Sequence, residues 1–203
     1  MKRRVFVLSP AHSGGERAGM LLSGRAQFEL AQKLRGEGAP LGEVFAFISG
    51  LYFRGKLAYS EAFAAPPPGV PGALVIAPGR GLLPPAWPVT LDDMREMASV
   101  RVDAANPRYR EPLERDARIL ARLAGPRSSI VLLGSVATAK YIEPLLAIFG
   151  ERLLFPAAFA GRGDMSRGGL LLRAARSGIE LEYAPVAGAA RHGPRPPKLP
   201  RLR

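Results

Sequence analysis

Short apolar runs alternate along the chain with longer stretches in which apolar residues recur every three or four positions. The clearest runs are Arg4–Leu8, Ala73–Ala77 and Ser129–Leu133, and each is followed directly by serine, proline or glycine. Continuous apolar runs of this length are typical of strands that are buried on both faces of a parallel sheet. A further run over residues 179–186 predicts a last strand, either antiparallel or at an edge.

The intervening stretches predict helices. Residues 44–48 are ambiguous, because they fit a strand or part of a helix. Capping residues mark several starts: Thr90, the pair Asn106-Pro107, and Asp164. The predicted helices cover residues 16–35, a segment beginning near Leu51, residues 91–98, a segment following Asn106, residues 142–149 and residues 165–176.

This alternation predicts an α/β fold. We expect a single three-layer domain over residues 1–186, with a mostly parallel central sheet and helices on both faces. Residues 187–203 are predicted to form a basic, proline-rich extended tail. In sheets of this kind ligands bind at the carboxyl ends of the strands, so the loops that follow the strands carry the candidate chemistry.

Composition limits that chemistry. The chain has 203 residues, 47% of them apolar, which is ample for a buried core, and it has no cysteine and two histidines. Cysteine-ligated zinc, iron–sulfur clusters, thiol nucleophiles and multi-histidine metal sites are therefore excluded. We predict no metal and no cofactor, although a carboxylate site for magnesium stays open.

No segment resembles a membrane anchor or a signal peptide. The apolar stretch after the basic residues Lys2, Arg3 and Arg4 is far too short for either. The sequence predicts a cytoplasmic protein with no membrane partner, and it leaves the oligomeric state open.

Positive charge is concentrated at the end of the chain. With 29 Lys and Arg against 17 Asp and Glu, the formal net charge is +12. The last thirteen residues contain no acid and five of these cations: Arg191, Arg195, Lys198, Arg201 and Arg203. Such a tail suits phosphate backbones or an acidic protein surface, and its prolines also suit an extended ligand for a protein partner. Alternatively, the tail is solvated or packs along its own domain.

Four loops and one helix carry candidate site residues. These segments contain small residues that leave backbone N–H groups exposed, and they also contain hydroxyl and cationic side chains. Both features suit an anionic ligand. The loops match neither the dinucleotide fingerprint nor the nucleoside-triphosphate loop. The candidates for binding substrate or phosphate are Ser13, Arg17, Tyr52, Lys56, Arg80, Ser135, Thr138, Lys140, Ser166 and Arg167, and the candidate catalytic residues are Asp164 and His12.

Each candidate also has a structural interpretation. On this interpretation, the loop that carries His12, Ser13 and Arg17 is an ordinary tight turn, and Arg80 is a structural arginine. Asp164 is then only a helix cap, and Gly168 and Gly169 allow close helix packing. Tyr52 lies in a segment that interleaves aromatic and basic residues, a mixture that stacks bases and neutralises phosphates. Aromatic residues at helical spacing are equally typical of a core.

Three of these features resemble the YaaA-like proteins and related families of unassigned function. They are the strand and polar loop from Val5 to Ser9, the pair Leu51-Tyr52, and the strand end Gly81-Leu82-Leu83-Pro84. Either Ala11 or His12 stands where the first loop of those proteins usually carries a cysteine. The resemblance implies an α/β protein linked to DNA or nucleotides, in damage or defence pathways.

Two hypotheses follow. In the first, a pocket between the loops binds a nucleotide or a flipped-out nucleoside, Tyr52 stacks on the base, and basic residues such as Lys140 hold phosphate. Asp164 then acts as a general base, or stabilises an oxocarbenium-like centre, during cleavage or transfer at an N-glycosidic bond. In the second, the protein is a non-enzymatic DNA- or RNA-binding protein that uses its basic tail.

Overall fold

The computed structural model describes residues 3–189 and 196–197 and is a mixed α/β structure with about 50% helix around a six-stranded, mostly parallel sheet. The strands of this sheet are β1 Arg4–Leu8, β3 Ala73–Ala77, β4 Gly81–Leu83, β6 Ser129–Leu133, β7 Leu153–Pro156 and β8 Tyr183–Pro185. Their order is β4-β3-β1-β6-β7-β8. The four inner strands are parallel, and β4 and β8 are antiparallel edge strands.

Eight α-helices, two short 3-10 helices at Gly150–Arg152 and Ala157–Phe159, and a small second sheet complete the described structure. The helices are α1 Glu16–Leu22, α2 Glu29–Arg35, α3 Leu41–Ser49, α4 Leu51–Phe63, α5 Leu91–Ser99, α6 Pro107–Ala124, α7 Ala139–Phe149 and α8 Asp164–Ser177. The small sheet pairs β2 Ala39–Pro40 with β5 Pro88–Val89 in antiparallel fashion.

The strand β1 lies at the centre of the main sheet. Its residues from Val5 to Leu8 are all completely buried, which explains why this segment is apolar without alternation. It pairs with β6 over its full length, from Arg4 opposite Ser129 to Leu8 opposite Leu133.

The strand order reverses beside β1. The chain leaves β1, forms β3 on one side of it, and returns to form β6 on the other side. The connection that leaves β1 leads towards β3, and the connection that leaves β6 leads in the opposite direction along the sheet, towards β7. A crevice therefore opens between the loops that follow β1 and β6. The topology alone thus marks the carboxyl ends of β1 and β6 as the place for a site.

The helices α4 and α8 cross at close range at a pair of glycines. A Cβ at Gly55 would lie 2.7 Å from the carbonyl oxygen of Gly168, and a Cβ at Gly168 would lie 2.7 Å from the Cα of Tyr52. Both distances are shorter than real Cβ contacts, so the two backbones can approach this closely only without side chains. This contact brings the first turns of α8 against α4.

The predicted strands β1, β3 and β6 are confirmed, as is the antiparallel strand near the end, which covers only Tyr183–Pro185. Thr90 caps α5 in a capping box with Asp93, and Asn106 caps α6. The strands β4 and β7 were not predicted, since each has only three or four residues and proline follows or ends it.

Two local predictions are wrong, and the ambiguity at residues 44–48 is resolved in favour of a helix. Residues 16–35 form two helices, because Gly24 has a φ of +69° and breaks the segment. Residues 44–48 belong to α3, whose residues Val44 and Phe45 are buried. Gly163 and not Asp164 is the N-cap of α8, so Asp164 is the first helical residue. The arrangement of helices on both faces of the sheet stays a prediction, and the tail cations lie outside the described residues.

The glycine crossing gives the first testable prediction. Replacing Gly168 with alanine forces α4 and α8 apart, and overpacking of this kind costs about 1–3 kcal/mol of stability. Chemical denaturation of Gly168→Ala should show that loss. The matched control is Gly19→Ala, an exposed position inside α1 with open space around it, where alanine should not destabilise the fold. Equal stability of Gly168→Ala and the parent chain would contradict the close packing.

Candidate functional site

A cavity of about 260 Å³ lies at the carboxyl ends of β1 and β6. Its floor comes from the loop after β1, which contains His12 and Ser13, and from the loop after β6, which contains Ser135 and Thr138. This is the crevice that the reversal of strand order creates. Its volume is close to the lower end of small-molecule sites, about 300 Å³.

The walls of the cavity differ in chemistry. One side is apolar and is formed by Phe45 and Ile48 of α3 and by Met94 and Met97 of α5. The polar and titratable residues come from the strand-end loops, from the end of α3 and from the starts of α4, α7 and α8: Ser9, His12, Ser13, Ser49, Tyr52, Ser135, Thr138, Lys140, Tyr141 and Asp164. Such a mixture provides an apolar contact surface together with a few groups that orient a ligand.

Asp164 reaches the cavity from the first turn of α8. Among the described residues that line the cavity it is the only acid, and its side chain is 68% exposed. Its Oδ1 lies 3.4 Å from Nη1 of Arg167, one helical turn further on. A carboxylate at a helix N-terminus is also favoured by the helix dipole.

Arg167 is buried behind Asp164. Its Nε and Nη2 both donate to the carbonyl oxygen of Phe159 at 3.4 Å, and its guanidinium lies 5.6 Å from the centre of the Phe159 ring. These contacts hold the positive charge of Arg167 close to the cavity, which Lys140 also lines. Arg167 therefore positions Asp164 from behind.

Lys56 is the most unusual residue next to the cavity, since only 1% of its surface is exposed. Its Nζ donates to the carbonyl oxygen of Ser9 at 2.9 Å and lies 2.8 Å from Ser9 Oγ, and it stands 4.1 Å from the centre of the Tyr52 ring. Burial lowers the pKa of Lys56 to about 7, with Asp164 acting to raise this pKa and Arg167 acting to lower it further. The amine can thus change its charge near neutral pH.

Two tyrosines border the cavity with their rings. The hydroxyl of Tyr52 is buried and has no hydrogen-bond partner among the described residues. Burial raises the pKa of Tyr52 and likewise that of Tyr141, so both stay neutral phenols at ordinary pH. Tyr109 donates to the carbonyl oxygen of Lys140 at 3.0 Å and so fixes the start of α7 beside the cavity.

Seven of the predicted site residues line this one cavity: His12, Ser13, Tyr52, Ser135, Thr138, Lys140 and Asp164. Lys56 and Arg167 do not line it but contact residues that do, namely Ser9 and Asp164. Tyr52 and Lys56 are both buried, as the core interpretation of their segment requires, while Tyr52 also faces the cavity.

The other three predicted residues lie elsewhere. Arg17 donates to the carbonyl oxygen of Phe47. Arg80 pairs with Asp93 at 2.6 Å and with Glu96 at 2.5 Å. These ion pairs agree with the interpretation of Arg80 as a structural arginine. Ser166 accepts a hydrogen bond from Arg162.

Sequence reasoning missed Ser9, Ser49, Tyr141 and the apolar wall. The pairing of Lys56 with Ser9 joins residues 47 positions apart, so no local pattern indicates it. One signal was present: Tyr52 and Lys56 are four residues apart on a helix and therefore share one face.

Comparison of the chain with protein-family models, with curated proteins and with solved structures finds no match. None of the helices in the described part of the chain has the length and apolar character that a bilayer crossing needs. Within residues 3–189 and 196–197, no three His, Asp or Glu side chains come together as metal ligands would.

The buried amine predicts a particular dependence of stability on pH. Between about pH 7 and the ordinary lysine value of about 10.4, the unfolded chain holds a proton on Lys56 that the folded chain lacks. The free energy of unfolding therefore rises with pH in this window, by up to about 1.4 kcal/mol for each pH unit. Below about pH 7 Lys56 is protonated in the folded and in the unfolded chain. The folded chain then bears the full cost of burying a charged amine, and Lys56 no longer makes the free energy of unfolding depend on pH.

Denaturation of the parent chain and of Lys56→Met at about pH 7 and about pH 9 measures this effect. The parent chain should gain stability relative to Lys56→Met as the pH rises. Lys33→Met, which removes an exposed lysine of α2, is the control and should follow the parent chain. If Lys56→Met also keeps a constant difference from the parent chain, Lys56 does not titrate in this range.

Proposed function

We propose that the cavity binds a nucleotide or an unstacked nucleoside and that the protein cleaves, or transfers a group at, the N-glycosidic bond. The observation that carries the proposal is the convergence of Asp164, Tyr52, Tyr141, Lys140 and His12 on one cavity. These residues supply the three features that such a substrate requires: a carboxylate, aromatic faces and polar groups that can bind phosphate.

The aromatic rings provide a place for the base. Tyr52 and Tyr141 both line the cavity and are held by burial, so little side-chain entropy is lost when a base packs against them. Stacking of a base on an aromatic side chain is worth about 1–3 kcal/mol. The apolar wall from α3 and α5 excludes water from the same space.

An ammonium group and an imidazole suit the phosphate. Lys140 lies in the first turn of α7, and His12 lies in the loop after β1. Both line the cavity at its strand-end side, where a phosphate would also meet the start of α7. The body of the protein thus provides phosphate contacts without help from the tail.

Asp164 is assigned the chemical step. Cleavage of an N-glycosidic bond builds positive charge on the sugar, and a carboxylate nearby stabilises that charge or takes a proton from the attacking water. Arg167 holds the carboxylate in place at 3.4 Å. The base leaves with its bonding electron pair, and water supplies the hydroxyl group that replaces it on the sugar.

Replacement of Asp164 with asparagine tests this assignment. Asparagine keeps the shape but loses the charge, so the rate of base release should fall by about 10²- to 10⁴-fold while nucleotide binding changes little. The measurement is liquid chromatography of free bases released from a panel of nucleoside monophosphates and short single-stranded DNA and RNA. Glu37→Gln, an exposed acid after α2, is the matched control and should react like the parent chain.

Two results would contradict the proposal. One is an unchanged rate of base release in Asp164→Asn. The other is a parent chain that releases no base from any member of the panel and binds none of the mononucleotides.

The basic tail supplies the test of the alternative, a protein that binds nucleic acid without turnover. In a full chain whose five tail cations are replaced by glutamine, loss of DNA and RNA binding together with its salt dependence would support a tail-based grip. Mononucleotide binding should persist in that chain if the cavity is the site. Measuring the binding of both ligands therefore distinguishes binding by the cavity, binding by the tail and binding by both.

A further inference from the structure

Ser9 and Lys56 form a close pair at the carboxyl end of the central strand. Ser9 directly follows β1 and lines the cavity, and its Oγ lies 2.8 Å from Nζ of Lys56. The hydroxyl also lies 3.4 Å from the carbonyl oxygen of Leu133, which ends β6. A serine hydroxyl within hydrogen-bond distance of a base that is itself held in place is the arrangement of an activated nucleophile.

Lys56 meets the requirements of the base. Among the described residues, both of its hydrogen bonds are with Ser9, and no carboxylate forms an ion pair with it. The faces of Tyr52 and Phe53 enclose the amine, at 4.1 Å and 5.1 Å from the ring centres. Burial disfavours the ammonium form and lowers the pKa of Lys56 to about 7, so a large fraction is the neutral amine at physiological pH.

The charged groups that face Lys56 come from α8. Asp164 raises the pKa of the amine and Arg167 lowers it, so the two effects oppose each other, and burial is the largest cause of the shift. The remaining titratable neighbour is Tyr52, a neutral phenol over this range because burial raises its pKa. The protonation of Lys56 is therefore governed mainly by its apolar surroundings.

The chain passes close to Ser9 just after β6, and this is possible because residue 134 is a glycine. A Cβ at Gly134 would lie 2.9 Å from Cβ of Ser9 and 3.1 Å from its Oγ. Any larger residue would crowd the hydroxyl from the β6 side. Gly134 thus allows the end of β6 to pack against Ser9.

We propose that Ser9 and Lys56 are a nucleophile and general base that hydrolyse small carboxylic esters in this cavity. This activity goes beyond the N-glycosidic chemistry assigned to Asp164. Ser9 would be the catalytic residue that forms the covalent intermediate, and Lys56 would move the proton.

The step balances with water as the second reactant. Ser9 Oγ attacks the carbonyl carbon, and its proton passes to Lys56 Nζ. The ester C–O bond breaks, and the alcohol leaves with the proton from Lys56. Water then attacks the acyl-serine, Lys56 takes a proton from this water, and the acid leaves as Ser9 regains its proton.

The cavity indicates the size of the substrate. At about 260 Å³ it admits only a small molecule, and Phe45, Ile48, Met94 and Met97 form an apolar wall that suits a short alkyl or acyl group. Lys140 and Thr138 lie on the polar side, where they would orient the alcohol portion. A short-chain ester fits this description better than a peptide does.

Diisopropyl fluorophosphate is the probe, because it carries short alkyl groups and labels activated serines. The Ser9 oxygen forms a bond to phosphorus, the P–F bond breaks, fluoride leaves, and the serine proton passes to Lys56. We expect intact-mass spectrometry of the full chain to show one adduct, and peptide sequencing to place it on Ser9. The same preparation should hydrolyse p-nitrophenyl acetate with an initial burst.

Three variants sharpen the test. Ser9→Ala should abolish the adduct, Lys56→Met should slow labelling by about 100-fold, and Ser60→Ala, a buried serine of α4 that donates to the carbonyl oxygen of Leu57, should label like the parent chain. Circular dichroism confirms that each variant folds. The labelling rate of the parent chain should rise with pH and reach half of its maximum near the Lys56 pKa of about 7.

Several outcomes would overturn the proposal. They are no adduct under conditions in which a known serine esterase reacts completely, an adduct on a residue other than Ser9, or equal labelling rates for the parent chain and a folded Lys56→Met. The first two results come from the parent chain alone, so they hold even if a variant fails to fold. The readout involves no N-glycosidic bond, so it is separate from the test of Asp164.

Discussion

The crossing of α4 and α8 at Gly55 and Gly168 is the contact on which the site depends. Because neither residue has a side chain, the carbonyl oxygen and Cα of one helix lie directly against the backbone of the other. Lys56 follows Gly55 in the sequence, and Arg167 precedes Gly168. The same crossing therefore places a lysine of α4, and the arginine and the carboxylate of α8, around the end of β1. A wider separation would open a gap between them and hydrate the buried amine.

The charges at this crossing are arranged in an uneven way. Two basic side chains, Lys56 and Arg167, are buried, whereas Asp164, the one acid among the described residues that line the cavity, is mostly exposed. Arg167 offsets the cost of its burial with Asp164, a carbonyl oxygen and an aromatic face, while Lys56 has only uncharged partners. Burying an amine without an ion pair is costly, and the folded protein reduces this cost by releasing the proton near neutral pH. The amine that results is a base enclosed within the protein, next to a hydroxyl.

The sequence was a good guide wherever a signal is local and repeated. Continuous apolar runs located β1, β3 and β6, and the cavity lies at the ends of two of these strands, although the order of the strands was not predicted. It was a poor guide where a contact between distant residues decides the outcome. Residues 44–48 are helical because Val44 and Phe45 pack into the core. Arg80 forms ion pairs with Asp93 and Glu96 of α5 instead of lining the cavity. The pairing of Lys56 with Ser9 is likewise invisible in sequence, because it depends on a helix and a strand end that are 47 residues apart.

The two proposed chemistries occupy different parts of one cavity and depend on different elements. Asp164 is mostly exposed and stands at the start of α8, so it suits a step in which water or a charged sugar must approach. Ser9 lines the cavity at the end of β1 but is only 4% exposed, so it suits a small, uncharged acyl group that can reach an enclosed hydroxyl. Tyr52 lies between them, since its ring contacts the Lys56 amine and also borders the cavity. Because Lys56 is only 1% exposed, the surrounding rings exclude water from the amine whether or not a ligand occupies the Asp164 side. The Ser9–Lys56 pair therefore depends on the packing of α4 against the end of β1 and not on the exposed carboxylate.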